Sequence, residues 1–414
     1  MRTFLATTLL AGAVAAAGLT GVTPARAAET CNGLPATIIG TDGNDHREGT
    51  PGKDVFLMKG GDDVVSGLGG DDTACMGTGD DTFTGGPGDD TFVAEPFADG
   101  RDDFFGDDGK NQSGGGDLAT YAARSTAVKV SLDGSHNDGQ AGEGDNIAGA
   151  DVDAVRGGSG ADVLTERNVG QRPLFGGPGH DTLSGGFNLF AEAGDDTLIH
   201  LAGGGSGSLH GGDGADRLTD LATVKSDLQG EDGPDRISGG PGPDVLFGGA
   251  GDDRIAGGLG SESILAGDGD DLITGGLGDD VISGGTGADT YLAGTGPDGR
   301  DVFFGEAGSD TANYGARDNA SRGTVLNLSA SVFGNDGEPG EADTTDAENL
   351  KGGTGRNIIT GDDRPNRLEG GPSFDIVTSI DGIGGNDVII GHSAAGTDVC
   401  QGDAGPPPDA VHCP

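Results

Sequence analysis

The residues of this sequence most able to do chemistry are acids that recur every nine positions. One run is Asp45, Asp54, Asp63, Asp72, Asp81 and Asp90, and a second is Asp235, Asp244, Asp253, Glu262, Asp271, Asp280 and Asp289. Copies with looser spacing lie around Asp162, Asp181, Asp196 and Asp216, and weaker ones near Asn357, Asp375 and Asp387. A single Asp is most often a solvated turn residue, but that does not explain two ladders with a fixed step. Carboxylates at this regularity indicate sites for a cation.

Each acid lies inside a nine-residue unit, of which residues 85–93 are the fullest copy, Gly-Gly-Pro-Gly-Asp-Asp-Thr-Phe-Val. The glycines permit positive φ and a close approach of backbones, so the first six residues predict a turn. The last three alternate polar, apolar and polar, which predicts a short strand with one inward side chain. Two units would complete one coil, so residue i should stack on residue i+18 in parallel sheets.

This stacking would place Asp45, Asp63 and Asp81 in one column and Asp54, Asp72 and Asp90 in another. Carboxylates about 5 Å apart repel by roughly 3 kcal/mol at an effective dielectric of about 20, and a thin core cannot absorb that at every coil. A cation between coils reverses the sign. Ca²⁺ accepts six to eight oxygen ligands in loose geometry, whereas Mg²⁺ demands a tight octahedron. Zn²⁺ favours His or Cys, which do not recur in the turns. The pattern therefore predicts multiple Ca²⁺ ions.

Units such as residues 85–92 and 284–291 resemble the RTX, or hemolysin-type, calcium-binding nonapeptide. The resemblance implies an all-β fold, a parallel β-roll (β-solenoid) in two tandem halves, with Ca²⁺ held between turns by the motif Asp and by turn carbonyls. The predicted metal ligands are Asp45, Asp54, Asp63, Asp72, Asp81, Asp90, Asp181, Asp196, Asp216, Asp235, Asp244, Asp253, Asp271, Asp280 and Asp289. Asp45 matches by spacing but is followed by a weak strand, and the longer Glu262 departs from the motif.

A larger duplication encloses the nonapeptides, because residues 99–106 recur as 298–305. We therefore expect a first β-roll block over 28–98, spacer coils over 99–156, a second block over 157–297, spacer coils over 298–351, and degenerate repeats with a disulfide loop over 352–414. Residues 1–27 have an early Arg, an uncharged apolar run and small residues before a cut after Ala27, which predicts a cleaved signal peptide. The mature chain should be secreted and extracellular, free or at the cell surface, with no membrane span.

Four cysteines suit an oxidising compartment. Cys31–Cys75 and Cys400–Cys413 are the pairings that position favours, although four cysteines allow three connectivities. The formal net charge of −46 argues against nucleic acid as a partner.

The catalytic signatures HExxH, GxSxG and the P-loop are missing from the sequence, and the repeats leave little room for a separate domain, so we expect no enzyme. In the first interpretation, the chain is a calcium-dependent structural or adhesive protein of the cell surface or matrix. The alternative is a calcium-dependent glycan-binding module or an accessory to an extracellular enzyme, with a surface or matrix polysaccharide as partner. A row of exposed aromatic residues would favour that alternative, but the chain has 3 Tyr and no Trp.

Overall fold

The computed structural model describes residues 29–106, 116–148, 152–166, 172–295, 298–316, 324–327, 343–354, 357–361, 364–371, 376–378, 388–390, 399–401 and 410–412. The predicted signal peptide, Asp375, Asp387 and Cys413 lie outside these residues, so those predictions, including the Cys400–Cys413 pairing, stay predictions. All regular elements of the described residues are strands. None of the described residues belongs to a helix that could cross a membrane.

The strands are short and follow one another closely along the chain. Those of the first block and the following coils are β1 Thr30–Cys31, β2 Leu34–Pro35, β3 Ile38–Ile39, β4 His46–Glu48, β5 Val55–Leu57, β6 Val64–Ser66, β7 Thr73–Cys75, β8 Thr82–Thr84, β9 Thr91–Val93, β10 Asp103–Phe105, β11 Leu118–Thr120, β12 Val128–Ser131, β13 Gly139–Gln140, β14 Asn146–Ile147 and β15 Ala154–Arg156.

The second block has longer strands. They are β16 Val163–Thr165, β17 Leu174–Pro178, β18 Thr182–Gly185, β19 Leu189–Ala193, β20 Thr197–His200, β21 Ser208–Asp213, β22 Arg217–Asp220, β23 Asp227–Asp232, β24 Arg236–Gly240, β25 Val245–Ala250, β26 Arg254–Leu259, β27 Ser263–Asp268, β28 Leu272–Leu277, β29 Val281–Gly287 and β30 Thr290–Leu292. The rest of the chain adds β31 Val302–Gly308, β32 Thr311–Asn313, β33 Thr324–Asn327, β34 Thr344–Thr345, β35 Asn349–Lys351, β36 Asn357–Thr360, β37 Arg367–Glu369, β38 Ile376–Thr378, β39 Val388–Ile390, β40 Val399–Gln401 and β41 Ala410–His412.

Alternate strands belong to opposite sheets, so the chain winds as a solenoid. A sheet of 15 strands, here called long sheet 1, runs from β3 through β5, β7, β9, β11, β15 and the odd-numbered strands to β31 and ends at β34. A second sheet of 15 strands, long sheet 2, begins at β13, β12 and β16 and ends at β41. A five-stranded N-terminal sheet (β14, β10, β8, β6, β4) and a four-stranded sheet (β33, β36, β38, β40) complete the fold. Nearly all of the pairs are parallel, which confirms the predicted all-β parallel β-roll.

The predicted separation of 18 residues between stacked positions is observed in the regular part of the chain. Ile237 pairs with Ile255 and Ile255 with Ile273, in each case 18 residues apart. The spacers keep the same sheets by means of longer turns, because Phe104 of β10 still pairs with Phe83 of β8. The spacers are thus further coils of the same solenoid.

One inward side chain per strand builds a continuous core. Phe56, Phe83, Phe92 and Phe104 fill its N-terminal part, with ring centroids of Phe83 and Phe104 5.6 Å apart. Leu and Ile replace Phe through the second block, and each such side chain contributes about 2 kcal/mol when buried. No coil buries enough apolar surface to be stable alone, so each depends on its neighbours.

The N-terminal end of the roll is closed by a disulfide. Cys31 and Cys75 form the predicted bond, and they pack with Val55 in a small cluster apart from the main core. The short antiparallel pair β1–β2 lies over the first coils, and the disulfide fastens it to β7.

Candidate metal centres

Each acid stands directly before a strand and stacks in the register of that strand, so the acids form columns along the edges of the roll. The N-terminal ladder, before the strands of the N-terminal sheet, is Asp45, Asp63, Asp81, Asp102 and Asp145. Ladder 1, before long sheet 1, contains Asp54, Asp72, Asp90 and Asp117, and later Asp244, Glu262, Asp280 and Asp301. Ladder 2, before long sheet 2, is Asp162, Asp181, Asp196, Asp216, Asp235, Asp253, Asp271, Asp289 and Asp310.

Within a ladder, one carboxylate oxygen joins consecutive coils directly. The backbone N–H of Asp235 donates to Oδ1 of Asp253 at 2.8 Å, and the N–H of Asp253 donates to Oδ1 of Asp271 at the same distance. The contact repeats along the ladders, with Glu262 as an exception, and it orients the aspartate carboxylates in the same way. The sequence indicated the columns but not this bond, which depends on the coil register.

The second oxygen of these carboxylates is buried and has no hydrogen-bond partner among the described residues. This holds for Oδ2 of Asp63, Asp72, Asp81, Asp90, Asp181, Asp196, Asp216, Asp235, Asp244, Asp253, Asp271, Asp280, Asp289 and Asp310. A buried oxygen anion without a partner is strongly destabilising. The recurrence of the same orphan atom at 14 positions indicates a common missing ligand.

A glycine lies five residues before most of these acids and leaves the space that this ligand needs. Asp63, Asp81, Asp196 and Asp271 have Met58, Met76, Ala191 and Ala266 at that position instead. A Cβ added to Gly248 would lie 2.2 Å from Oδ2 of Asp253 and 2.3 Å from the carbonyl oxygen of Ala266 in the next coil. At Gly230 the corresponding distances are 2.2 Å to Oδ2 of Asp235 and 2.5 Å to the carbonyl oxygen of Gly248. A carboxylate of one coil and a main-chain carbonyl of the next thus converge beside a residue that has no side chain.

These donors fit Ca²⁺. No three His, Cys, Asp or Glu side chains form a metal-binding group within the described residues, so an ion on a ladder must take much of its coordination from main-chain carbonyls. Ca²⁺ accepts such mixed oxygen shells with flexible geometry. The absence of nitrogen and sulfur donors from the repeated cradle disfavours Zn²⁺.

Burial is the main reason why the pKa values of the ladder acids are raised. It raises the pKa of Asp72 to about 6, that of Asp81 to about 7 and that of Asp90 to about 8. In ladder 2, burial likewise raises the pKa of Asp235 to about 7 and that of Asp253 to about 6. The charges of neighbouring ladder acids add to the effect on Asp235. A divalent cation would stabilise the ionised form of each group.

Asp45 and Asp54, the first acids of the N-terminal ladder and of ladder 1, differ from the acids that follow them. Oδ2 of Asp54 accepts hydrogen bonds from the backbone N–H of Thr50 at 2.6 Å and from its hydroxyl at 2.9 Å. Asp45 has the same two contacts with Thr41 and an ion pair with Arg47. The cradle glycines Gly40 and Gly49 are present, but the threonine after each of them donates to the carboxylate, so both carboxylates are already satisfied. Their predicted ligand role is the least supported by the geometry.

Glu262 keeps its place in ladder 1 despite its extra methylene. Its backbone N–H donates to Oδ1 of Asp280 at 2.8 Å, and both carboxylate oxygens are buried. Burial raises its pKa to about 8. Glu262 therefore keeps its place in the column, but neither of its carboxylate oxygens has a hydrogen-bond partner within the described part of the chain, so it lacks the contact that Oδ1 of the ladder aspartates makes with the preceding coil.

The nine-residue pattern did not identify several ladder acids, because insertions separate these acids from the regular repeats. Asp102, Asp117, Asp301 and Asp310 lie in the predicted spacers, at separations of 21, 27, 21 and 21 residues from the preceding ladder acids. The duplication of residues 99–106 as 298–305 was the sequence signal that could have identified Asp102 and Asp301.

Ladder 1 is interrupted in the middle of the roll, and a buried polar cluster occupies the gap. In four consecutive coils its place is taken by Arg172, Phe187, Gly207 and Ser226. His200 and Asp220 stand in register with the cradle glycines, and Nδ1 of His200 lies 2.9 Å from Oδ1 of Asp220. Burial lowers the pKa of His200, but the hydrogen bond and the charge of Asp220 outweigh burial and raise it above 6.5. The cationic form of the ring is therefore favoured at a position that a cradle glycine holds in the regular coils.

The cluster also includes Ser226, whose Oγ lies 3.2 Å from the same Nδ1 of His200. Asp220 and Ser226 therefore contact one ring nitrogen, and all three residues are buried. A nucleophilic triad needs the acid and the nucleophile on opposite ring nitrogens, so this cluster lacks that geometry.

A second internal cation lies in the first spacer. The guanidinium of Arg124 is buried and donates to Asp99 at 2.7 Å and to Glu143 at 2.8 and 2.9 Å. It also donates to the carbonyl oxygen of Glu95. This network lies where the N-terminal sheet ends and long sheet 2 begins.

Fold and site together define a parallel β-roll whose coils are joined by columns of acids and glycine cradles. The RTX calcium-binding nonapeptide repeat family matches residues 77–99, 174–187, 229–261, 256–291, 265–299, 295–316 and 344–377. The chain carries RTX calcium-binding nonapeptide repeats in several copies, as predicted, and calcium is the ion that these repeats bind. No curated protein is similar enough to the chain to be a match.

Proposed function

We propose that this chain is a secreted, extracellular protein that folds when its repeats bind several Ca²⁺ ions and that then serves as a rigid structural or adhesive element. The observation that carries the proposal is the repeated buried Oδ2 that faces a glycine cradle and a carbonyl of the next coil. The sequence features of residues 1–27 and the Cys31–Cys75 disulfide support an oxidising location outside the cell.

The proposed ligands are the ladder acids whose Oδ2 atoms have no protein partner, together with the carbonyls that line the same cradles. Bound Ca²⁺ supplies the positive charge that the columns lack. The protein's own part is to align the carboxylates through the Oδ1 contacts and to exclude side chains from the cradle. Extracellular modules bind Ca²⁺ with dissociation constants of about 10⁻⁴ to 10⁻³ M, and we propose that range here.

We also propose that the chain has no catalytic activity of its own. Most of the buried described acids belong to ladders, and the buried His200 cluster lacks the geometry of a nucleophilic triad. An extracellular protein of this kind would act through its surface, which agrees with a structural or adhesive role.

Circular dichroism and size exclusion of the mature chain, first in EDTA and then in millimolar Ca²⁺, test the proposal. We expect an expanded chain in EDTA and a compact β spectrum with calcium, because the ladders repel until ions are bound. Mg²⁺ at the same concentration is the control and should restore much less structure. A compact β spectrum that is the same in EDTA would contradict the proposal.

A further inference from the structure

The outward face of long sheet 2 differs from the rest of this acidic molecule. Between β18 and β32 it presents two columns of side chains. The first is Thr182, Thr197, Arg217, Arg236, Arg254, Leu272, Thr290 and Thr311, and the second is Ser184, Ile199, Thr219, Ser238, Ala256, Thr274, Leu292 and Asn313. Neither column contains an acid, although the chain has 69 Asp and Glu residues.

Three arginines stack in the first column. Arg217 pairs with Arg236, and Arg236 with Arg254, in adjacent parallel strands that lie about 4.8 Å apart. All three are exposed, and their guanidinium groups form no ion pair with the described residues. Like charges directly opposite each other destabilise a sheet. Other arginines of the chain do find acids, as Arg156 does with Glu192.

A depression continues the same face towards the C-terminal end. It has a volume of about 430 Å³, and Thr274, Leu292 and Asn313 of the second column line it. Lys351 of β35, which pairs with Asn313, also lines it, and its ammonium group lies 3.3 Å from Oε1 of Glu369. Its lining combines a hydroxyl, an amide, an aliphatic side chain and an ammonium group. This is the mixture that a polyhydroxylated ligand with apolar ring faces needs.

We propose that this face binds a linear anionic polysaccharide along the axis of the roll, with its carboxylate or sulfate groups on Arg217, Arg236 and Arg254 and its sugar rings continuing into the depression. The planar guanidinium forms two parallel hydrogen bonds to such oxyanions. Thr219, Ser238 and Thr274 offer hydrogen bonds to sugar hydroxyls. From β22 to β35 the track spans six strand steps, about 29 Å.

Charge complementarity favours a single polysaccharide strand over other occupants. The acidic turns that flank the sheet repel a broad polyanion such as an acidic membrane or a nucleic acid. The proposal rests on the proposed function, because calcium must order the coils before the two columns exist.

The test measures binding of the calcium-loaded full chain to dextran sulfate, polygalacturonate and neutral dextran by affinity electrophoresis. Dextran sulfate is the main probe, because Ca²⁺ itself gels polygalacturonate. The variant Arg236→Ser/Arg254→Ser is compared with Arg101→Ser/Arg300→Ser, which makes the same change of charge on exposed turns away from this face. We expect the face variant to bind about tenfold more weakly for each arginine removed, the control to bind like the unmodified chain, and salt to weaken binding.

Equal binding by the two variants would overturn the proposal, and so would equal binding of neutral dextran. Tighter binding of polyphosphate than of either anionic polysaccharide would overturn it too. Concentration-dependent dimers that the face variant abolishes would assign the face to self-association instead. Circular dichroism of every variant in Ca²⁺ separates these results from failure of the proposed function, because a chain that does not fold with calcium shows no β spectrum at all.

Discussion

At the scale of single residues, the chemistry of a ladder depends on the two oxygens of one carboxylate doing different things. Oδ1 of Asp253 accepts the N–H of Asp235, while Oδ2 is buried without a protein partner. An Asn could still accept the first bond but would bring no charge to the cradle. A bulkier residue in place of Gly248 would occupy the cradle itself. At this cradle the site therefore depends on both the charge of Asp253 and the missing side chain of Gly248.

Asp253→Asn tests the role of Oδ2. We expect the calcium affinity of the affected site to fall about tenfold, whereas the chain in EDTA should be no less ordered, because a buried charge has been removed. Calcium titrations followed by circular dichroism measure both effects. Asp252→Asn is the matched control, since it changes the charge equally at an exposed turn position. If both variants lose calcium affinity to the same extent, general charge explains the effect and the ligand role of Asp253 is wrong.

His200 makes a second prediction at this scale. Burial alone lowers its pKa, but the hydrogen bond and the charge of Asp220 outweigh burial, so its pKa is raised above 6.5, and Asp244 adds to the effect. The stabilisation is complete below pH 6.5 and is lost as the pH rises through the folded-state pKa. We expect the hydrogen-exchange protection of β18–β22 relative to that of β24–β28, measured in saturating Ca²⁺, to be higher at about pH 5 than at about pH 8.

His200→Gln should remove most of that pH dependence from β18–β22, because Gln cannot carry the charge. His180→Gln changes the same residue type at an exposed turn and is the control. Relative protection that increases with pH in the unmodified chain would show that His200 is not the cation of this segment.

At the scale of elements, the coil was predictable and its exceptions were not. The nine-residue step places Ile237, Ile255 and Ile273 in one column, and they pair as expected. Local composition determines this step, because each turn needs its glycines and each strand its one apolar residue. The joining of Asp81 to Asp102 across 21 residues depends on contacts between coils, which a pattern of fixed length does not contain. The same holds for His200, which resembles any isolated histidine until the register places Asp220 beside it.

The disulfide predicts a local effect at the N-terminal coils. Closure of a loop of 44 residues stabilises by about 4 kcal/mol in the chain-entropy account. Because each coil contacts only its neighbours, we expect Cys31→Ser/Cys75→Ser to reduce hydrogen-exchange protection in β1–β7 and to leave β24–β28 unchanged in Ca²⁺. Reduction of the unmodified chain should reproduce the pattern. An equal loss of protection in both regions would indicate that the roll unfolds as one unit.

At the scale of the whole molecule, the solenoid is a stack of carboxylate columns with too little internal positive charge. The net charge is −46, and the buried basic side chains Arg124 and His200 contact acids of the first spacer and of the gap in ladder 1. The remaining ladder acids need either a cation from solution or a proton. The regular spacing of the acids predicted the bound cation, whereas the need for protonation without a cation follows from the observed burial.

Stability of the calcium-free chain should therefore depend on pH in the opposite sense from that of an ordinary acidic protein. Burial raises the pKa of Asp81 and Asp235 to about 7 and that of Asp90 to about 8, from 3.8. The folded state then binds more protons than the unfolded chain, so the penalty of ionisation grows as the pH rises from about 4 to about 8. In EDTA we expect more β structure and a smaller hydrodynamic radius at about pH 5 than at about pH 8. In millimolar Ca²⁺ the fold should persist at about pH 8, and the calcium concentration needed for folding should increase as the pH falls, because protons compete for the same oxygens. Circular dichroism and size exclusion across this range measure both trends, and a calcium-free chain that is most compact at about pH 8 would show that the buried ladder acids do not control folding.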